Sequence, residues 1–448
     1  MSAQKLYDLL VRHQDSDADD LSADARPHIA GNGLRQMAAQ ALQSAGDEVV
    51  NAKTVLPWLM NALGAPGAFV AFLVPIRESG SMLPQAAWAP RVQARRQRKW
   101  VWVAGAAGQA VATAAMALVA ATAEGWVAGI GILVALAVFA VARSLSSIAS
   151  KDVLGRTVSQ GQRGQIQGVT TVASAIVAVT LGLGLRFWGG DLGVGVLAAL
   201  LGGAAVLWAL GALIYATIRE PSEEGEASKP REATQASATG DSPPDDDGPG
   251  WVSQAAGLWR DDGVFRRFVV ARGLLLVSAL SPPFVVALSL QGDGEGLSSL
   301  GLFILAQGVA GIIGGRVFGR LADASSRRLM IGASIAASAT IVMFLGLRAL
   351  PGVGEAAWLP AAAYFVLALV HLGVRLARKT YVVDIAEGDQ RTEYVAVANT
   401  LMGVLLLAVG VVTAGLAVFG NAVALVALAV LGVVGAWVGR GLPEAEKG

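Results

Sequence analysis

Long apolar runs recur along the chain, and each is long enough to cross the roughly 30 Å apolar layer of a bilayer as a helix. Six runs, spans 1 to 6, cover residues 35–63, 66–89, 100–123, 126–147, 164–187 and 192–218. Six more, spans 7 to 12, cover residues 265–290, 300–321, 329–350, 359–376, 394–419 and 421–438. The pattern predicts an all-α integral membrane protein with twelve transmembrane helices in two six-helix bundles.

Polar segments divide the chain around these bundles. Residues 219–262 are rich in Pro, Ser, Gly and acidic residues, a composition that cannot bury a core and predicts a disordered or interfacial linker. We therefore expect an N-terminal segment (1–34), an N-terminal bundle (35–218), this linker, a C-terminal bundle (263–438) and a tail (439–448).

The distribution of basic residues predicts the orientation of the chain. Lys and Arg collect in the loops after spans 2, 4, 8 and 10, whereas the opposite loops offer only Arg186 and Arg348. Because basic loops remain on the cytoplasmic side, we expect a multi-pass protein of the inner (cytoplasmic) membrane with the linker and both termini in the cytoplasm.

Composition excludes several function classes. Hydrophobic residues make up 54% of the chain, and a net charge of +1 gives no indication of nucleic-acid binding by the protein as a whole. The chain has no cysteine, and its three histidines, His13, His28 and His371, lack metal-ligand spacing. It also lacks a P-loop and a nucleophile elbow. We expect no cofactor, no metal and no enzymatic activity.

The two halves carry a weak internal repeat. A shift of 228 residues places Lys379 on Lys151 and Arg391 on Arg163, in corresponding loops of the two halves. Repeats in this order are typical of transporters whose halves are related by an axis along the membrane normal.

A loop motif carries a family resemblance. The sequence Gly319-Arg320-Leu321-Ala322-Asp323, followed by Arg327 and Arg328, resembles the loop signature of the major facilitator superfamily, with Ser326 in place of the usual glycine. The resemblance implies the fold of that superfamily. Gly319, Asp323, Arg327 and Arg328 would form a conformational latch in which Asp323 accepts charge-assisted hydrogen bonds. The alternative is a basic membrane anchor with an ordinary capping aspartate. The first half has Ala94 in place of the aspartate, so any latch is asymmetric.

Span 1 carries a full-length polar stripe. Its members recur at helical spacing: Gln36, Gln40, Gln43, Asp47, Asn51, Thr54, Trp58 and Asn61. A charge near the midplane costs about 3 kcal/mol or more, so Asp47 and the adjacent Glu48 suggest a cavity lining rather than a lipid face. Lys53 lies off the stripe, and we expect it to pair with an acid on a neighbouring helix. The alternative is that these charges only join helices.

Span 2 carries Arg77 and Glu78 near its middle, and Glu78, Ser81 and Gln85 share one face. We predict that Asp47, Asn51, Arg77 and Glu78 form one polar centre, with a purely structural network as the alternative. The candidate substrate or coupling-ion residues are Asp47, Glu48, Asn51, Lys53, Arg77, Glu78 and Gln85. Arg143, His371 and Arg375 are candidate gating residues, or snorkelling and packing residues.

The family resemblance, together with intramembrane carboxylates and the lack of a nucleotide site, predicts a secondary active transporter. It would move a small polar or amphiphilic solute by alternating access, coupled to protons, and would act as a monomer in contact with membrane lipid. One alternative is an exporter or flippase of the same fold for an amphiphile such as a lysolipid. Another is a membrane sensor without transport activity.

Overall fold

The computed structural model describes residues 3–11, 24–93, 95–158, 160–188, 193–221, 257, 259–290, 297–384 and 390–443. Within these ranges the regular structure is helical, and no strand occurs. Most of the predicted linker and the last five residues of the predicted tail lie outside the described residues.

Nine helices precede the linker in the described part of the chain. They are α1 (Ala3–Leu10), α2 (Ile29–Val49), α3 (Val55–Ala62), α4 (Val70–Met82), α5 (Gln85–Gln93), α6 (Lys99–Thr122), α7 (Gly125–Thr157), α8 (Gln160–Trp188) and α9 (Val194–Ala216). Short 3₁₀ turns, Arg26–His28 and Gly67–Phe69, lead into α2 and α4. Span 1 is thus α2 with α3, span 2 is α4 with α5, and spans 3 to 6 are α6 to α9.

The second half repeats this order. Its helices are α10 (Gly263–Leu274), α11 (Val277–Ser289), α12 (Leu297–Ala324), α13 (Ser326–Arg348), α14 (Trp358–Asp384), α15 (Gln390–Ala417) and α16 (Asn421–Gly439). Span 7 is α10 with α11, and spans 8 to 12 are α12 to α16. Spans 3 to 12 are each long and apolar enough to cross a membrane. Spans 1 and 2 are broken into shorter, more polar helices that do not meet this criterion. The predicted all-α membrane fold class is confirmed, with ten of the twelve predicted spans meeting the criterion.

The break in span 1 has a local cause. Pro57 lacks the N–H that would bond to the carbonyl of Lys53, and its ring would clash with that carbonyl in a continuous helix. The side chain of Asn51 accepts a hydrogen bond from the backbone N–H of Lys53 at 2.9 Å, which stabilises a turn instead. The consequence is an unwound segment that carries Lys53 between α2 and α3. Span 2 is interrupted in the same way at Pro84.

The two halves meet along two related seams. Span 5 (α8) packs against span 8 (α12), and span 2 (α4) packs against span 11 (α15). A Cβ placed on Gly301 would lie 2.6 Å from the carbonyl oxygen of Gly182, and one on Gly410 would lie 2.5 Å from Cγ of Pro75. Gly182 and Gly410 are 228 residues apart, so the shift found in the sequence also relates these two contacts.

Large apolar side chains cover the outside of the bundle. Val134, Val138 and Val141 are exposed on α7, and Val426 and Val430 are exposed on α16. An exposed apolar band of this kind is suited to lipid rather than to water.

The N-terminal segment contains a docked helix that the sequence analysis did not predict. Tyr7 on α1 is fully buried, and its hydroxyl donates a 2.7 Å hydrogen bond to Oε1 of Gln162 on α8. Met37, Leu154 and Ile166 pack in the same apolar cluster. Helix α1 therefore joins the first, fourth and fifth spans at the end of the bundle that carries the termini.

Candidate functional site

Asp47 is the centre of an ion-pair triad inside the first half. Its two carboxylate oxygens accept hydrogen bonds from Arg77 at 2.8 Å and from Arg143 at 2.6 Å. The three side chains come from spans 1, 2 and 4, and they are 17%, 19% and 27% exposed, respectively. One carboxylate thus joins three helices and is shared by two cations.

Neighbouring side chains hold both guanidinium groups in place. Arg77 lies over the ring of Phe139 at 5.2 Å, and Arg143 lies over the ring of Trp208 at 5.7 Å. With its amide oxygen turned toward Arg143, Gln43 accepts hydrogen bonds of 2.8 and 3.2 Å from that guanidinium. Stacking of cations on aromatic faces and multiple hydrogen bonds restrict the rotamers of both arginines.

Glu48, the next residue, faces a different set of partners. Its carboxylate accepts hydrogen bonds from Oγ of Ser174 at 3.3 Å and from Nε2 of Gln307 at 2.9 Å. The other end of the Gln307 amide accepts a 2.7 Å bond from the hydroxyl of Tyr364. Ser174 belongs to span 5, whereas Gln307 and Tyr364 belong to spans 8 and 10. Glu48 therefore links the two halves through uncharged groups.

A second cluster of charges lies around Lys53 and Glu78. These two side chains interact electrostatically with each other and with Arg375 and Arg378 of span 10. His371, one turn before Arg375, interacts with the same cations. Lys53, Glu78, His371 and Arg378 are only partly buried, and Arg375 is exposed. The charges of both halves therefore surround a space that solvent reaches.

The structure divides the predicted polar centre. Asp47 and Arg77 are in contact, whereas Glu78 interacts electrostatically with Lys53 without an ion pair within 4 Å among the described residues. Asn51 lies near Glu48, and its side-chain oxygen accepts a hydrogen bond from the backbone N–H of Lys53. Its neighbours place it between the two sets of charges.

Other predicted residues turn toward protein rather than toward a shared space. Gln85 donates a 2.7 Å bond to the carbonyl of Ser81 in its own helix. At the start of the stripe, Gln36 is fully buried and donates a 2.7 Å bond to Oγ1 of Thr157 on span 4. This part of the stripe joins spans 1 and 4.

The three candidate gating residues have different surroundings. Arg143 belongs to the Asp47 triad. His371 lies beside Ser278, with 3.4 Å between Nδ1 and the hydroxyl oxygen. Arg375 faces the open space between the halves.

The predicted latch lies partly outside the described side chains. Helix α12 includes Gly319 and Asp323, but their side chains are not described, so the latch stays a prediction. Arg327 donates a 2.8 Å bond to the carbonyl of Leu442 after span 12. The backbone N–H of Arg328 donates to Oγ of Ser325, which caps the N-terminus of α13. Arg327 thus ties this loop to the end of the chain.

Sequence reasoning missed two partners of Glu48, Ser174 and Gln307, and also Tyr364, which bonds to Gln307. A signal was available, because Gln307 is a lone amide within an apolar stretch of span 8. An amide that is buried in a span needs a hydrogen-bond partner from a neighbouring helix.

Known structures share this arrangement of helices. A D-xylose–proton symporter has a TM-score of 0.66 at 12% identity, covering 92% of this chain and 98% of its own. The nucleoside transporter NupG has a TM-score of 0.64 at 13% identity, with coverage of 92% and 98%. A POT family transporter solved with 5-aminolevulinic acid has a TM-score of 0.66 at 10% identity, with coverage of 91% and 95%. At such identities the likeness shows the fold alone.

The family assignment rests on the sequence. No curated protein matches the chain at the level of sequence. The family model of the Major Facilitator Superfamily, however, matches residues 38–410, which include spans 2 to 10 in full and most of spans 1 and 11. The match confirms the resemblance drawn from the loop motif, and the chain belongs to the Major Facilitator Superfamily.

Proposed function

We propose that this protein is a proton-coupled secondary transporter that moves a small polar solute across the cytoplasmic membrane by alternating access. The observation that carries the proposal is the position of Glu48. Its carboxylate is bonded by Ser174 of one half and by Gln307 of the other. Glu48 is a titratable group at the interface of the two bundles. The relative position of the bundles can therefore depend on whether this carboxyl group is protonated.

The hydrogen bonds of Glu48 indicate how its protonation would affect the contact between the two halves. An ionised carboxylate only accepts hydrogen bonds, and both described donors to Glu48 satisfy that form. When Glu48 gains a proton, one oxygen becomes a donor and the bond from Nε2 of Gln307 weakens. Protonation therefore lowers the free energy of separating the halves relative to the ionised form, which shifts the population of the two arrangements.

Asp47 has the opposite character. It is bonded by Arg77 and Arg143, and it is suited to a structural role because it joins three helices. Among the described residues, no Lys or Arg nitrogen lies within ion-pair distance of Glu48. The two adjacent carboxylates thus have different roles. Asp47 holds three helices together, and Glu48 is the one that can gain and lose a proton.

Other features support the remaining parts of the proposal. The charged interior favours a polar solute over the amphiphile of the flippase alternative, because an acyl chain would lie against ionised groups. Residues from both halves of one chain surround the space, which fits a monomer. The basic loops support the cytoplasmic placement of the termini.

The test combines substrate discovery with flux measurements. Metabolite profiles of a deletion strain and of the complemented strain identify the solute, which is then followed in proteoliposomes. We expect Glu48→Gln to lose accumulation driven by a pH gradient but to keep solute exchange, because exchange needs no change of protonation. Glu124→Gln, the same change at an exposed loop position, is the matched control.

Two results would contradict the proposal. Normal gradient-driven accumulation by the Glu48→Gln variant would remove Glu48 from coupling. If the wild-type protein moves no solute in either assay and the profiles of the two strains agree, the protein does not act as a transporter, and the sensor alternative takes its place.

A further inference from the structure

The interior of the bundle holds more cations than acids. Among the described side chains, six cations lie at the Asp47 triad and around Lys53: Lys53, Arg77, Arg143, Arg272, Arg375 and Arg378. Three acids lie with them: Asp47, Glu48 and Glu78. Charge inside a membrane protein is expensive unless it is compensated, so an excess of one sign indicates a missing partner of the other sign.

The excess is concentrated around Lys53. Asp47 is occupied by Arg77 and Arg143, and Glu48 is bonded by uncharged groups. Glu78 is then the one acid for the remaining cations, and it has no ion pair within 4 Å among the described residues. Lys53, Arg375 and Arg378 interact with it only at longer range.

Two of these arginines, Arg272 and Arg378, each have a buried N–H group without a hydrogen-bond acceptor in the described part of the structure. Arg272 is 7% exposed, and its terminal nitrogen donates a 3.0 Å bond to Asn399. Within the described part of the structure, the buried Nε atoms of Arg272 and Arg378 have no hydrogen-bond partner. A buried donor without an acceptor costs about 1 to 3 kcal/mol, which a bound acceptor would recover.

Two of the arginines line one cavity, and Arg375 and Lys53 lie near it. His371, Arg375 and Arg378 follow one face of span 10 at spacings of four and three residues. Arg272, Ser278, His371 and Arg378 line one cavity between spans 7 and 10. Lys53 approaches from the other half, on the unwound segment of span 1. Lys53 interacts electrostatically with Arg375 and Arg378, so cations of both halves converge beside this cavity.

We propose that this cluster binds a small organic anion through carboxylate or phosphate oxygens, held by Lys53, Arg375 and Arg378 with Arg272 behind them. Guanidinium groups bind such oxygens in bidentate geometry, and the lysine adds a mobile charge. The inference rests on the transport proposal, since it names the class of solute for the same central space. Glu78 is the internal counter-ion, which the anion displaces when it enters.

The experiment measures binding on the purified full-length protein in detergent. The melting midpoint is followed against increasing inorganic phosphate, succinate and its neutral analogue succinamide, with sodium chloride at matched ionic strength as the salt control. We expect phosphate or succinate, but not succinamide, to raise the midpoint in a saturable way.

Variants then locate the site. We expect Arg378→Gln and Lys53→Gln to weaken the apparent affinity by about tenfold or more, because each removes a charge-assisted hydrogen bond. Glu78→Gln should strengthen it, since the internal competitor is lost, a gain that a purely structural role would not give. Arg186→Gln, at an exposed position, is the matched control, and Arg378→Lys keeps the charge if the glutamine variant does not fold.

The outcomes separate this inference from the transport proposal. Saturable anion binding without any gradient-driven flux would keep the anion site and overturn transport. Gradient-driven transport of a neutral or cationic solute would keep transport and overturn the anion site. Equal stabilisation by succinamide, or no stabilisation by either anion, would also overturn the anion site.

Discussion

The Asp47 triad gives the sharpest prediction about stability. Asp47→Asn keeps the size of the side chain but removes the negative charge between Arg77 and Arg143. Of the two charge-assisted hydrogen bonds, at 2.8 and 2.6 Å, one is lost because an amide NH2 group cannot accept from a guanidinium, and the other weakens. The two guanidinium groups then face each other without a counter-ion. The variant should be folded but clearly destabilised.

The size of the effect follows from burial. Removing one partner of a fully buried ion pair costs about 3 to 5 kcal/mol. Since the three side chains are 17% to 27% exposed, screening by solvent reduces this to about 2 to 3 kcal/mol. Asp152→Asn, which breaks the 3.2 Å ion pair with Arg98 where the aspartate is 30% exposed, should cost less than about 1 kcal/mol.

The assay is thermal melting in detergent, combined with a double-mutant cycle. Adding Arg143→Gln to Asp47→Asn removes one of the two opposed cations, so the double variant should melt higher than Asp47→Asn alone. Glu48→Gln is the internal comparison and should melt near the wild type, because its partners are uncharged. If Asp47→Asn melts like the wild type, or if the double variant loses the full sum of both single costs, the triad does not stabilise the first half.

Four further predictions concern the rest of the molecule. Reporters fused after Lys151 and within the linker should both score cytoplasmic, and a periplasmic score for the linker would overturn the six-plus-six arrangement. Deletion of residues 223–247 should leave flux nearly unchanged, because loop length costs little free energy; lost flux at normal expression would indicate a binding or regulatory role. Asp323→Asn should lower flux while ligand binding in detergent survives, and an equal loss of both would contradict the latch. Gly301→Val should destabilise the protein by about 1 to 3 kcal/mol, whereas Gly311→Val, where a Cβ meets nothing within 4 Å, should not, as melting would show.

Much of the fold could be predicted because hydrophobicity and helix length are local properties of the sequence. The twelve spans follow from apolar runs, and the break at Pro84 follows from the missing backbone donor. Helix α1 was not predicted, because its eight residues are too few for an independent helix and it is held by the docking of Tyr7 on the bundle.

The candidate site was predictable in composition but not in pairing. Charges in the middle of spans 1 and 2 identified Asp47, Glu48 and Glu78 as important. Adjacent residues of a helix point about 100° apart, so Asp47 and Glu48 had to meet different neighbours. Which neighbours they meet depends on how helices from distant parts of the chain pack, and no local pattern contains that information.

The glycine seam between spans 5 and 8 has a mechanical consequence. At Gly182 and Gly301 the backbones touch directly, with no side chains to interlock. Interdigitated side chains would have to change rotamers before one helix could turn against the other. Two backbones in direct contact can turn against each other without such rotamer changes. At the other seam, Gly410 meets the rigid ring of Pro75, which has no rotamers to change. Both contacts therefore offer little side-chain resistance to a rotation of one half against the other.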